Sequence, residues 1–316
     1  MNDRIWTYKG AYVTLTYKCN TDICPYCYAR GQKIKSTMNI KDFKKIVGWL
    51  KQVSNITEIN LVGGEPTILP NLKDYLDILN KENMSAVVYT NGSFDRKIRK
   101  LISAHPAVKL IIFHYEPLHF KNIRGHKKHF ITNIAHLSKN KKLNLLFIID
   151  KTNFDYKTPL KIAEKYNLNL GWVFSTPTSG KTQYLNLKQI RLMGRKIEKF
   201  LLEAKNRNVR TYADLTIPLC LFSDSFFAKY RDEFKLVKKC LPFVYFKPDL
   251  STQFCTALPN FSSKTIDNAK ELKAIIRKYR KIRKQYETIP SFKECVTCDL
   301  HQVLCQGGCL TYKLYA

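Results

Sequence analysis

An alternation constrains this chain most. Short, β-branched apolar runs give way, six times in series, to segments with helical periodicity. Strands are expected at 12–18, 57–63, 84–91, 107–115, 142–150 and 168–176. Four apolar stripes mark helices between them: Phe43, Ile46, Val47 and Leu50; Leu72, Tyr75, Leu76 and Leu79; Ile98, Leu101 and Ile102; Phe130, Ile134 and Leu137. Further helices are expected at 158–167 and 187–207, and Asn39 and Asn71 stand where N-caps are needed. Parallel neighbours need a crossover helix, so the series implies an α/β fold with a parallel sheet. Right-handed crossovers curl such a sheet into a barrel or partial barrel.

In that geometry ligands bind at the C-terminal ends of the strands. The chemistry-bearing residues fall there. Cys19, Cys24 and Cys27 follow the first expected strand, and Gly63-Gly64-Glu65-Pro66 follows the second. Thr90-Asn91-Gly92 follows the third, His114 and Glu116 end the fourth, and Asp150 and Asn153 end the fifth. One site at one rim is the economical reading.

The ten cysteines sharpen it. The N-terminus lacks a hydrophobic signal core and no run of 18 apolar residues occurs, so neither export nor a membrane span is expected. The expected compartment is the cytoplasm, where clustered cysteines hold metal or do redox chemistry. None lies between 28 and 219; Cys220, Cys240 and Cys255 follow, then Cys295, Cys298, Cys305 and Cys309. That divides the chain into a scaffold over 1–210 and a cysteine-rich module over 211–316.

Cys19-x4-Cys24-x2-Cys27 gives three thiolates, one short of a closed zinc site. On a 4Fe-4S cube three thiolates leave one iron open. Three core cysteines or an incomplete zinc knuckle remain the alternative. The glycines of 63–66 let backbone approach a ligand, and the Glu65 carboxylate suits an ammonium group; a plain turn is the bland reading.

Together these stretches resemble the radical S-adenosylmethionine (SAM) superfamily. The matching text is Leu15 to Asn20, Cys24-Pro25-Tyr26-Cys27-Tyr28, Leu61 to Pro66, Val88 to Gly92 and Ile123-Arg124-Gly125. The departure is one extra residue between the first two cysteines. The resemblance implies that Cys19, Cys24 and Cys27 hold a 4Fe-4S cluster whose open iron chelates SAM. It places Tyr26 near the adenine and Gly63, Gly64 and Glu65 at the methionine amino group. Thr90, Asn91 and Asn153 join the cofactor-binding set, and the ribose contact lies between His114 and Glu116. One electron, from a donor such as flavodoxin or ferredoxin, would cleave SAM to methionine and a 5′-deoxyadenosyl radical that abstracts a hydrogen atom.

Cys295-x2-Cys298-x6-Cys305-x3-Cys309 has zinc-ribbon spacing. With Cys240 and Cys255 upstream it resembles the SPASM extension, which binds auxiliary 4Fe-4S clusters in peptide-modifying relatives. The fold implied is a partial (β/α)6 TIM-type barrel followed by a small SPASM/twitch-like module. Cys240, Cys255 and Cys309 would hold one auxiliary cluster with Cys220 as fourth ligand; a buried free thiol is the alternative for Cys220. Cys295, Cys298 and Cys305 would hold a second, its fourth position left open, taken by His301, or the cluster absent.

Lys and Arg total 54 against 25 acids, a formal charge of +29. Eight of them lie on one expected helix over 266–287. Beside a solvated face, the reading is a surface that attracts an acidic partner. An acidic peptide fits the SPASM-like module better than nucleic acid. About a dozen residues precede the first strand, so a leader-binding domain is not expected there. Thr256 stands where sulfatase-maturing relatives have aspartate, which turns expectation from formylglycine formation. Three functions follow: peptide modification by crosslinking, epimerisation or a similar step; the same chemistry on a small anionic sugar, nucleotide or amino acid; and, remotely, a zinc protein that binds nucleic acid.

Overall fold

The computed structural model describes residues 10–30, 36–53, 56–177, 184–236, 239–240 and 243–315. The N-terminal stretch read for an export signal lies outside them. In chain order the elements are β1 (Gly10–Thr16), α1 (Ile40–Val53), β2 (Glu58–Gly63), α2 (Leu72–Lys81), β3 (Ser85–Thr90), α3 (Arg96–Ala104), β4 (Val108–Tyr115), α4 (Pro117–Asn122), α5 (His126–Leu137) and β5 (Lys142–Ile149). There follow α6 (Lys157–Lys165), β6 (Asn169–Phe174), α7 (Leu187–Leu192), α8 (Gly194–Asn206), β7 (Thr211–Ala213), α9 (Asp224–Tyr230), β8 (Tyr245–Phe246), β9 (Ser251–Gln253), β10 (Ser262–Thr265), α10 (Ala269–Glu287) and α11 (Tyr312–Tyr315). All six expected strands form, with ends shifted by two residues or fewer.

Contacts gather the chain into two compact units, Met1–Leu143 with Pro242–Arg280, and Asn144–Leu241 with Lys281–Ala316. In the first the strand order is β10-β9-β8-β1-β2-β3-β4. β1 to β4 pair in parallel, each joined to the next through a helix. β8 adds to β1 in parallel, and β9 and β10 continue antiparallel. The sequence pattern gave no sign of these short strands, because two to four residues carry no readable period. The helix stripes read above face inward: Phe43, Ile46, Leu50, Leu72, Leu76, Leu79, Ile102, Phe130 and Ile134 are fully buried. Ile98 and Leu101 reach only half-burial.

The second unit holds β5, β6 and β7 in parallel. Phe200 on α8 packs edge-on against Phe147 of β5 and Trp172 of β6. The helix expected over 187–207 is two helices. Asn186 and Gln189 form a capping box that starts α7, and the chain turns at Met193. Gly194 then opens α8 where a Cβ would lie 2.0 Å from the Leu221 carbonyl oxygen.

Local capping follows the sequence in part. The Asn39 side chain accepts from Lys41 N at 2.8 Å. Asn71 holds the N-cap position of α2 without a capping bond. Asp95, not expected, caps α3 through Ile98 N at 2.9 Å.

Candidate functional site

The site in the first unit is built by the turn after β2. Gly63 has φ +145°, and a Cβ there would sit 2.1 Å from the Thr16 carbonyl oxygen. A Cβ on Gly64 would meet the Lys18 carbonyl oxygen at 2.1 Å. Gly64 N donates to Thr16 O at 2.7 Å and Glu65 N to Lys18 O at 2.9 Å. The two glycines are therefore required by the segment that delivers Cys19.

Glu65 is buried, and its carboxylate is fully engaged within the protein. Oε1 accepts from Thr67 N at 3.1 Å, Thr67 Oγ1 at 2.6 Å and Thr90 Oγ1 at 2.9 Å. Oε2 accepts from Asn91 N at 2.6 Å. Burial pushes its pKa up, and these four bonds pull it back. The carboxylate read above as a partner for a ligand ammonium thus ties the end of β2 to the end of β3. Asn91 carries the tie onward: Nδ2 donates to Asn20 Oδ1 at 2.7 Å and lies 3.8 Å from Cys19 Sγ. Cys19 Sγ also contacts Thr21 Oγ1 at 3.2 Å.

Cys24 and Cys27 sit in one tight turn, Cys27 N donating to Cys24 O at 3.3 Å. Burial pushes the Cys24 thiol up, and the nearby Cys27, Glu116 and Cys19 charges add to the shift. His119 Nε2 lies 3.1 Å from Cys24 Sγ. The sequence reading missed this residue; its one signal is the run of histidines at 114, 119 and 126 flanking α4. Burial pushes His119 down to about 3, helped by His114 and His126. The His119 and His126 rings meet edge-on at 4.9 Å.

Tyr26, His114 and Glu116 come together. The Tyr26 hydroxyl donates to Glu116 Oε2 and lies 3.2 Å from His114 Nε2. Glu116 Oε1 accepts from Leu118 N at 3.0 Å, which starts α4. Burial pushes His114 down to about 4, so the ring is neutral at pH 7. Tyr28 donates to Gly63 O at 3.3 Å. Asn153 belongs to the second unit and is exposed.

Six of the remaining cysteines, Cys220, Cys240, Cys295, Cys298, Cys305 and Cys309, also belong to the second unit, while Cys255 belongs to the first. Cys295, Cys305 and Cys309 are buried. Cys305 Sγ accepts from Gly307 N at 3.2 Å and Leu219 N at 3.4 Å. Cys240 N donates to Gln306 Oε1 at 2.7 Å. Cys309 contacts Thr311 and Thr176, and burial pushes its thiol up. Among the described residues, no group of three or more Cys, His, Asp or Glu is gathered to hold a metal ion.

Residues 13–156 match the Radical SAM superfamily. A stretch of 75 residues is 35% identical to the S-adenosylmethionine-dependent nucleotide dehydratase of Flammeovirga pacifica. It covers 22% of this chain and spans about a quarter of that relative, 26%. SuiB of Streptococcus suis bound to S-adenosylmethionine matches with a TM-score of 0.68 at 15% identity, over 95% of this chain and 72% of that one. SuiB bound to the precursor peptide SuiA matches at 0.70 and 14%, over 95% and 71%. Native anSMEcpe with bound AdoMet matches at 0.68 and 17%, over 95% and 89%. At such identities these likenesses are of fold, and the fold is the α/β architecture that the strand–helix alternation implies. The cysteine trio and the Gly-Gly-Glu turn both fall within the stretch, residues 13–156, that is similar to the Radical SAM superfamily.

Proposed function

We propose that this chain is a radical SAM enzyme that modifies a peptide. Cys19, Cys24 and Cys27 would hold the 4Fe-4S cluster. The donor set suits it chemically: three thiols follow one strand end, Cys24 and Cys27 share one tight turn, and a bound cation favours their thiolate forms. Once loaded and reduced by an external one-electron donor, such a cluster would supply reductive cleavage of SAM to methionine and a 5′-deoxyadenosyl radical able to take a hydrogen atom from the substrate.

The chain's own residues position this chemistry. Gly63 and Gly64 hold the Cys19 segment against the end of β2, and Glu65, Thr90 and Asn91 fix that turn to β3. Tyr26, held by Glu116 and His114, would offer its ring to the adenine. Glu116 or His114 would meet the ribose, and backbone at 63–65 the methionine amino group. In the tail, Cys220, Cys240, Cys255, Cys295, Cys298, Cys305 and Cys309 would bind auxiliary clusters.

The observation that carries the peptide reading is likeness along 95% of the chain, tail included, to SuiB bound to its precursor peptide. The charge of +29 favours an acidic peptide. A nucleotide is the second reading, favoured by the printed name of the Flammeovirga relative. Reduced, reconstituted protein given SAM and either acidic peptides or nucleoside triphosphates separates the two. Peptide-stimulated release of 5′-deoxyadenosine, with a mass change in the peptide, supports the proposal. Stimulation by nucleotides alone overturns it.

A further inference from the structure

We infer that the groove between α4 and the start of α5 is the docking surface for an acidic one-electron carrier protein, whose electron enters on the His119 side of Cys24. The inference rests on the proposed iron–sulfur function and deepens it by placing the partner that function needs. Its residues lie wholly within the first unit.

Phe120, Ile123 and Ile131 give an open groove of about 510 Å³ its apolar surface, and Lys127 and Lys128 line it beside them. The three apolar residues are half-buried, and both lysines are exposed. Phe120 is held in place by edge-on packing against Tyr115 and Phe130, with ring centroids 5.2 Å apart in each pair. Gly125, at φ +79°, turns the chain from α4 into α5, so one short turn sets both sides of the groove. The charge has a single sign. No Asp or Glu occurs from 117 to 143, and the exposed Lys121 and Arg124 add two cations to the same segment. An apolar centre with a cationic margin fits a protein face that is apolar in the middle and acidic around it.

The inner side of α4 selects an electron carrier as the occupant. His119, the neighbour of Phe120, is buried, and its Nε2 lies 3.1 Å from Cys24 Sγ. The His126 ring joins the two sides, meeting His119 at 4.9 Å and Phe120 at 5.8 Å between centroids. A series of ring contacts therefore starts in the groove and ends on Cys24. None of the residues proposed to meet SAM lines the groove. A substrate must reach the cofactor itself, whereas an electron need only reach a cluster ligand. One electron leaves the reduced carrier and the cluster at Cys19, Cys24 and Cys27 gains it; no bond or proton changes hands. The formal charge of +29 draws acidic proteins to the chain at large, and the groove decides where this one settles.

The test uses the full chain, reconstituted with iron and sulfide, with an acidic flavodoxin and an acidic ferredoxin as parallel probes. Lys127→Glu combined with Lys128→Glu lowers the net charge by four. Replacing Lys270, Arg277, Lys281 and Lys284 on α10 with Gln lowers it by the same amount and controls for charge alone. At low salt the groove variant is expected to bind a carrier about tenfold more weakly by calorimetric titration, and the α10 variant less than about twofold. At 1 M salt the groove variant should match the parent, because the screening length is then about 3 Å. Ile131→Gln is expected to weaken binding at both salt levels, since it removes apolar contact. Bleaching of the cluster absorbance by the reduced carrier should slow in the groove variant, while bleaching by dithionite keeps the parent rate. A parent chain without labile sulfide would show that the iron–sulfur reading had failed, a result separate from the titrations. The inference is overturned if neither carrier binds the parent, if the two charge variants weaken binding equally, or if dithionite bleaching slows as well. It is also overturned if the groove variant loses an acidic peptide but keeps the carrier, or if sedimentation shows that the variant breaks a dimer closed through this groove.

Discussion

At the residue scale, the turn after β2 shows what a sequence can and cannot display. Gly63, Gly64 and Glu65 are legible as a site, because two glycines and an acid at the end of a strand are unusual. Why they are needed is not legible, because the constraint comes from the Thr16 and Lys18 carbonyl oxygens more than forty residues earlier. Gly64→Ala must displace backbone, not a flexible side chain. Such overpacking costs about 1–3 kcal/mol. It is expected to lower the thermal midpoint and the iron retained at Cys19 together, read by a melt and by iron analysis. Glu65→Gln points an amide NH2 at groups that are themselves donors. Leaving them unpaired costs about 1–3 kcal/mol. A melt should show that loss without any ligand, whereas a residue serving only SAM would show it only with SAM present.

At the element scale, helices follow their apolar stripes, and the exceptions have local causes. The segment 187–207 reads as one helix, but it is interrupted at Met193, beside Gly194, where α8 starts against the Leu221 carbonyl. His119 escaped notice because its role depends on how α4 leaves β4. The start of α5 carries a pH dependence. His126 is 1% exposed among Phe120, Phe130 and His119, with the Asn91 backbone beside its ring. Burial pushes it from 6.5 down to about 4. The unfolded chain therefore binds a proton that the folded chain refuses between these values. Stability is full above about pH 6.5 and falls as pH drops toward 4. His126→Phe is expected to recover roughly 1–2 kcal/mol of the loss at pH 5, with little change at pH 8, measured by urea unfolding. An unchanged pH slope would show that the ring ionises freely in the fold.

At the scale of the whole molecule, the α/β fold class was legible because six strand–helix alternations leave few ways to bury their apolar faces. The strands β8 to β10 were not, being too short to show a period. The gathering of 242–280 with the first unit is likewise a tertiary event that composition does not encode. Charge acts at this scale too. On α10, Lys270, Arg277, Lys281 and Lys284 are exposed at seven-, four- and three-residue steps, a single helical stripe. Replacing all four with Gln is expected to weaken an acidic peptide roughly tenfold at low salt and to make no difference at 1 M, where the screening length is about 3 Å. Titrations at the two ionic strengths check this; equal affinities at low salt would remove the stripe from the binding surface.

The account stands on the proposal that Cys19, Cys24 and Cys27 bind iron. Its most direct measurement is 5′-deoxyadenosine formed from SAM by anaerobically reconstituted, chemically reduced protein, beside Cys24→Ala prepared in the same way. The account predicts product from the parent chain and none from the variant, with iron and sulfide lost at that site. No product from a parent chain that carries zinc and no labile sulfide would contradict it.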